Sequence, residues 1–200
     1  RSFTVVDLAR DLLAVLDAVN APSATFVGVS LGAAAALEAA LLAPGRVQAL
    51  VLMGVNPRAS TRVDAVKNTA LAAAVRTLGW RGFVLGQARA ALFGPTFQAE
   101  HPHEVARWAS RDGRIASLGR VATWRAVRCW VTRPSVEDRL GAVSARTCVI
   151  AGEEDAAAAP DLAERVRARV PGAVLETVRA GHTVPLERPD AVAGILARYL

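Results

Sequence analysis

Long apolar runs are missing from this chain of 200 residues: every candidate is interrupted by a charge, a glycine or a proline before the roughly 18 residues that a membrane span requires. No membrane partner is therefore expected. Cysteine is scarce. Cys129 and Cys148 have no metal-ligand spacing, and Cys148 lies inside the apolar run Thr147 to Ala151, so both read as reduced packing residues, a usage that fits a cytoplasmic setting. Lysine is almost absent. Lys67 is the single one, so the formal net charge of +6 is carried by arginines scattered along the chain instead of gathered in a basic tract, which argues against nucleic acid as a partner. Even the densest group, Arg165, Arg167 and Arg169, splays around a helix and builds no single face. Of the few histidines, His101 and His103 flank Pro102 without a third ligand at sensible spacing, so no metal is expected. The chain has no internal repeat, and it begins at Arg1 with a helical pattern already under way. It reads as starting inside a domain, so the lack of a signal peptide does not settle localisation.

What is present is a core. Hydrophobic residues make up 52% of the sequence and the mean hydropathy is +0.28, enough for one α/β domain. Leu8, Leu12, Val15, Leu16 and Val19 recur at helical spacing behind Thr4-x-x-Asp7, which resembles a capping box, and Asn20-Ala21-Pro22 ends that pattern. An apolar strand follows over Ala24 to Val29, then a helix over Leu31 to Leu42 stopped by Pro44-Gly45, then a second strand over Val47 to Met53; strand, helix and strand in this order build parallel sheets. The last sixty residues resume the alternation, with a strand at 147–151, a helix from Asp161 to Val170, a stop at Pro171-Gly172, a strand from Val174 to Val178 and a helix from Pro189 to Leu200. The alanine run 156–159 reads as a loop leading into the helix near Pro160. Between the two halves lies a differently composed stretch holding Trp80, Trp108, Trp124 and Trp130 with Phe83, Phe93 and Phe97, in helical segments punctuated by Gly79, Gly82, Gly94-Pro95, Gly113 and Gly119. This predicts an α/β core in two parts, residues 1–57 and 141–200, with an inserted helical subdomain over 58–140.

Chemistry centres on Gly28-Val29-Ser30-Leu31-Gly32, which an apolar strand enters and an alanine-rich helix leaves. A serine on so sharp a turn calls for glycine two residues before and two after, because side chains there would meet the turn or the helix. The pattern alone is weak, since chance produces it in about one such chain in twenty-five at ordinary glycine usage. An acyl-transfer serine also needs a base and a carboxylate that orients the base. Both follow: Asp155 after the strand ending at Ala151-Gly152, and His182 after the strand ending near Ala180-Gly181. Three parallel strands then deliver all three to one rim of the sheet, where open α/β sheets bind ligands. Glu153 and Glu154 compete with Asp155 as the acid.

These segments together resemble the α/β-hydrolase fold family, in its esterase and lactonase branch with a helical cap. "DLARDLLAVLDAV" is similar to the helix before the nucleophile strand, "FVGVSLGAAAALEAA" to the nucleophile elbow, "RVQALVLMG" to the next strand, "CVIAGEEDAAAAP" to the acid loop and "AGHTVPLERPDAV" to the histidine loop. The order serine, acid, histidine is the one this fold uses. The resemblance implies a mostly parallel sheet with flanking helices, Ser30 as nucleophile, His182 as general base and then acid, and Asp155, the fourth residue of "GEED", as the orienting carboxylate. It implies the backbone N–H of Leu31 as one oxyanion donor, Gly28 and Gly32 as elbow glycines, and no cofactor. The second oxyanion donor would come from a loop after an earlier strand, and nothing before Ser30 supplies it, so the chain reads as the amino-terminally truncated, carboxyl-terminal portion of a longer hydrolase. Where relatives commonly carry a second glycine after the motif this chain has Ala33, small enough for close helix packing.

The implied reaction is cleavage of a carboxylic ester or lactone through an acyl-enzyme, with the wording of the acid and histidine loops most similar to 3-oxoadipate enol-lactonases. Relatives with the same triad also cleave carbon–carbon bonds, hydrolyse thioesters or make peracids. Arg58, Arg62, Arg125, Arg128 and Arg133 could meet an acidic substrate, and the aromatics of the inserted subdomain serve packing or line a cleft. The competing expectation is a degenerate hydrolase acting as a non-catalytic binding or interaction module.

Overall fold

The computed structural model describes residues 2–108, 110 and 117–199, so Gly113 lies outside the described residues. Helix α1 (Val5–Ala18) starts where the motif predicts. Thr4 Oγ1 accepts from the Asp7 amide at 3.2 Å while the Asp7 carboxylate accepts from the Thr4 amide at 2.8 Å, a reciprocal capping box that satisfies amides the first turn leaves without partners. Asn20 ends the turn with φ 53°, a left-handed conformation that asparagine tolerates.

Four strands follow the predicted positions closely: β1 (Ala24–Val29), β2 (Val47–Met53), β3 (Arg146–Gly152) and β4 (Val174–Val178). They form one parallel sheet in the order β1-β2-β3-β4, with Gly28 beside Leu52, Met53 beside Ile150 and Gly152 beside Val178. Side chains alternate between two buried faces, as a strand period of two demands. Leu50, Leu52, Val149 and Ala151 face Ala36, Leu37 and Ala40 of α2 (Leu31–Leu42) and Ala163 and Val166 of α8 (Pro160–Arg169). Val51, Met53, Cys148 and Ile150 pack instead with Val192 and Ile195 of α10 (Pro189–Tyr199). Helix α2 is buried almost all round because α1 covers the side turned away from β1 and β2, which explains why it shows no polar stripe. Its one charge there, Glu38, is held by both Arg139 nitrogens at 3.0 Å. Cys129 and Cys148 are buried free thiols, and burial pushes Cys148 up to about 11, so it stays protonated near neutral pH.

Between β2 and β3 the chain forms α3 (Arg62–Leu78), α4 (Gly82–Leu92), α5 (Pro95–Glu100), α6 (Pro102–Trp108) and α7 (Arg120–Thr132). Helices α3 and α7 pack on each other, and Phe93, Phe97, Val105 and Ala88 form a separate apolar cluster with Trp80 and Trp108 around it. Leu186 of the short helix α9 (Val184–Glu187) packs against that cluster. Sequence patterning did not resolve α9, because four residues carry no helical period. Where this segment departs from the sheet and where it returns, the chain is stitched to itself: Pro57 O accepts from the Val136 amide at 2.8 Å, and the Arg133 guanidinium donates to Asn56 O and Ser60 Oγ. Among the described residues no helix is long and apolar enough to cross a membrane.

Candidate active site

Each of the four strands delivers one residue to the same sheet edge. At the end of β1, Ser30 adopts φ 53° and ψ −115°, a conformation that a residue with a side chain enters at a cost of about 1–3 kcal/mol. The surroundings hold it there. Its amide donates to Met53 O at 2.8 Å, continuing the β1–β2 ladder by one bond, and its carbonyl accepts from the Ala34 amide at 3.0 Å, opening α2. Gly28 makes the turn possible. A Cβ on it would lie 2.6 Å from Ala33 N and from the Gly32 carbonyl group.

Gly32 does not fulfil the expectation that a side chain there would collide. A Cβ at this position meets nothing within 4 Å, because the residue sits exposed in the first turn of α2 with its Cα turned outward. The elbow's steric demand falls on Gly28 alone. Leu31 is the first residue of α2, so its amide has no carbonyl one turn back to receive it and lies at the positive end of the helix dipole.

Asp155 and His182 come together as a buried pair, with Asp155 Oδ2 2.8 Å from His182 Nδ1. The other carboxylate oxygen, Oδ1, accepts from the amides of Ala157 and Ala158 at 2.8 and 2.7 Å. The alanine run after the acid thus has a use that composition did not show: small residues let the loop fold back so that its N–H groups reach the carboxylate. An ionised carboxylate only accepts, so the contact assigns Nδ1 of His182 as its donor. Among the described residues the Ser30 hydroxyl makes no hydrogen bond; in unliganded sites such bonds commonly tighten only when substrate arrives. Against the ring lies Gly54, just past β2, with φ 57°.

Of the two competing acids, Glu153 is exposed and Glu154 is occupied elsewhere. Glu154 accepts from the Thr96 amide at 2.9 Å, from the Thr96 hydroxyl and from Arg179, and the Thr96 hydroxyl foremost holds its carboxyl below the usual carboxylate range. Of the arginines that could meet an acidic substrate, Arg133 stands out: it is buried, lies over the Trp130 ring at 3.3 Å and has no carboxylate partner among the described residues. Burial draws its pKa down to about 10, leaving it charged at neutral pH. His101 rests on the Phe97 ring, with centroids 4.7 Å apart, and lies 4.0 Å from Glu104. A cavity of about 560 Å³ opens beside Glu104, Arg107, Trp108 and Leu186.

Sequence reasoning missed Gly54, Thr96, Thr183 and Glu187 around this site. Only Gly54 carried any local signal, as a glycine ending an apolar strand; the others gain their places from loops that meet only in three dimensions.

Comparison with known proteins bears on the fold that carries these residues. The model of the Alpha/beta hydrolase family matches residues 1–195. A protein of Variovorax paradoxus named as a carbamate hydrolase, RutD, is 30% identical over 159 residues, covering 77% of this chain; the chain spans 56% of that relative's length. An esterase from Thermogutta terrifontis superposes with a TM-score of 0.87 at 22% identity, covering 100% of this chain and 72% of the other. The enol-lactonase from Burkholderia xenovorans does so with a TM-score of 0.84 at 20% identity, covering 98% and 73%. The parallel sheet, its helices on both faces and the match along nearly the whole sequence place this chain in the alpha/beta hydrolase family.

Proposed function

We propose that this chain carries the catalytic residues of a serine hydrolase that cleaves a carboxylic ester or lactone through an acyl-enzyme. The observation that carries the reading is the buried Asp155–His182 pair at 2.8 Å, at the same end of the parallel sheet as a serine whose backbone is held at φ 53° just past β1. In the proposed reaction Ser30 Oγ attacks the acyl carbon and its proton passes to His182 Nε2. The tetrahedral oxyanion is met by the Leu31 amide at the start of α2. As the carbon–oxygen bond to the leaving group breaks, His182 returns the proton to that oxygen. Water, activated by the same nitrogen, then attacks the acyl-enzyme, forms the acid and restores Ser30. Asp155 keeps Nδ1 protonated and stabilises the imidazolium formed at each proton transfer.

The helical segment over 58–140 is proposed as the cap of this site. The name of the Variovorax relative adds carbamates to the acyl compounds worth assaying. Thioesters and carbon–carbon substrates use the same serine, acid and histidine.

A fluorophosphonate probe tests the reading, because it forms a stable bond only with an activated serine. Labelling of this chain that disappears in Ser30→Ala is the expected result. Absence of labelling in the unaltered chain, or labelling that survives the substitution, overturns it.

A further inference from the structure

The histidine loop contains a second buried carboxylate that the proposed reaction does not use. Glu187, at the end of α9, is only 3% exposed, yet among the described residues it has no arginine partner in a chain rich in arginine. It is satisfied by neutral donors. Oε2 accepts from the Gly181 amide at 2.9 Å and from the Gly94 amide at 3.1 Å, and Oε1 lies 2.9 Å from the Thr183 hydroxyl. Burying a carboxylate is costly unless its oxygens are hydrogen-bonded, so these donors are what keep the side chain inward.

The identity of the donors matters more than their number. Gly181 and Thr183 are the residues on either side of His182, so one carboxylate holds the backbone before the histidine and the side chain after it. Gly94 belongs to the turn between α4 and α5 in the helical segment. The two backbones approach so closely that a Cβ on Gly181 would lie 2.2 Å from Gly94 N, and the contact is reinforced where Leu92 O accepts from the Thr183 amide at 3.0 Å. His182 is thus fixed at its ring by Asp155 and at its backbone by Glu187, and the second attachment is shared with the helical segment.

We infer that Glu187 is a positioning residue for His182, joining the Gly94 turn of the helical segment to the histidine loop through one shared oxygen. The inference rests on the proposed role of His182 as the base. It makes the histidine's placement depend on the helical segment: a substrate or substitution that displaces the Gly94 turn moves the backbone that carries the base, not merely the wall of a cleft.

The test compares Glu187→Ala with Glu187→Gln in hydrolysis of p-nitrophenyl acetate and in rate of fluorophosphonate labelling. Glutamine can accept from both glycine amides through Oε1 and donate to Thr183 Oγ1, which then donates to Leu92 O, so it keeps the attachments and removes only the charge. In Glu187→Ala, kcat and labelling rate are expected to fall about tenfold or more with KM within about twofold, while Glu187→Gln stays within about threefold of the unaltered chain. If Glu187→Ala does not fold, Thr183→Val is expected to lower kcat about threefold through loss of the hydroxyl alone. Unaltered kcat in folded Glu187→Ala, a glutamine variant no better than alanine, or unaltered kcat in Thr183→Val overturns the inference while wild-type labelling leaves the serine reading intact. An unaltered chain that takes no label overturns both.

Discussion

A Cβ placed on Gly54 would stand 2.7 Å from Cε1 and 2.9 Å from Nδ1 of His182. The ring that pairs with Asp155 therefore occupies space left free by a missing side chain on the next strand but one, and φ 57° at Gly54 suits glycine for a second reason. Gly54→Ala should push the imidazole off Asp155. Ester turnover is expected to fall about a hundredfold, because misplacement near 1 Å costs that much, with a loss of about 1–3 kcal/mol in urea unfolding from the strained backbone. Turnover equal to that of the unaltered chain would show that His182 works from another position.

The two elbow glycines should separate cleanly. Gly28→Ala drives a methyl group into the backbone of Gly32 and Ala33, so the turn must open; severe destabilisation and loss of probe labelling are expected. Gly32→Ala meets open space inside a helix, where alanine exceeds glycine by about 1 kcal/mol, so it should raise the melting temperature and leave labelling in place. Thermal melts of the two variants, followed by the probe assay, check both halves. A destabilised Gly32→Ala would contradict the geometry of α2.

Acid should loosen the tie between the acid loop and Thr96. The Glu154 carboxyl is held below its ordinary value in the folded chain, first by the Thr96 hydroxyl, so the folded state prefers it ionised. The sign follows: this contribution is complete above the ordinary value of 4.5 and is lost as pH falls through the lower folded value. Glu154→Gln is expected to flatten the fall of melting temperature below that pH while changing little at neutral pH. An identical acid slope in both proteins would place the titrating group elsewhere.

Much of the sheet was legible because each strand is a largely apolar run bounded by Gly, Pro or Asn, with β2 and β3 buried on both faces, and the strands β1, β2 and β4 begin and end at the predicted residues. Helix α2 was equally clear from composition. The pairing of Asp155 with His182 followed from their common position after parallel strands. The role of Gly32 did not, since the spacing of a motif does not say which way a Cα faces. Nor did Glu187: its partners lie at residues 94, 181 and 183, and the 93-residue separation from Gly94 is closed only by the folding of the helical segment onto the histidine loop. Local patterns report strands and turns, whereas a shared oxygen between two distant amides leaves no trace in either neighbourhood.

Val136 N and Pro57 O, 2.8 Å apart, bring the two ends of a long excursion to a single point beside the sheet. A detour closed in this way can be exchanged as a unit, because loop closure depends only weakly on how many residues lie between fixed ends. The register of β1 to β4 is set by pairs of residues that all lie outside the stretch between 57 and 136. A transplanted lobe would nonetheless have to bring two compatible docking points with it, an amide for Glu187 and a hydroxyl-bearing turn for Glu154. Those two carboxylates set the terms on which this scaffold can take a different lobe without rebuilding the loops beneath it.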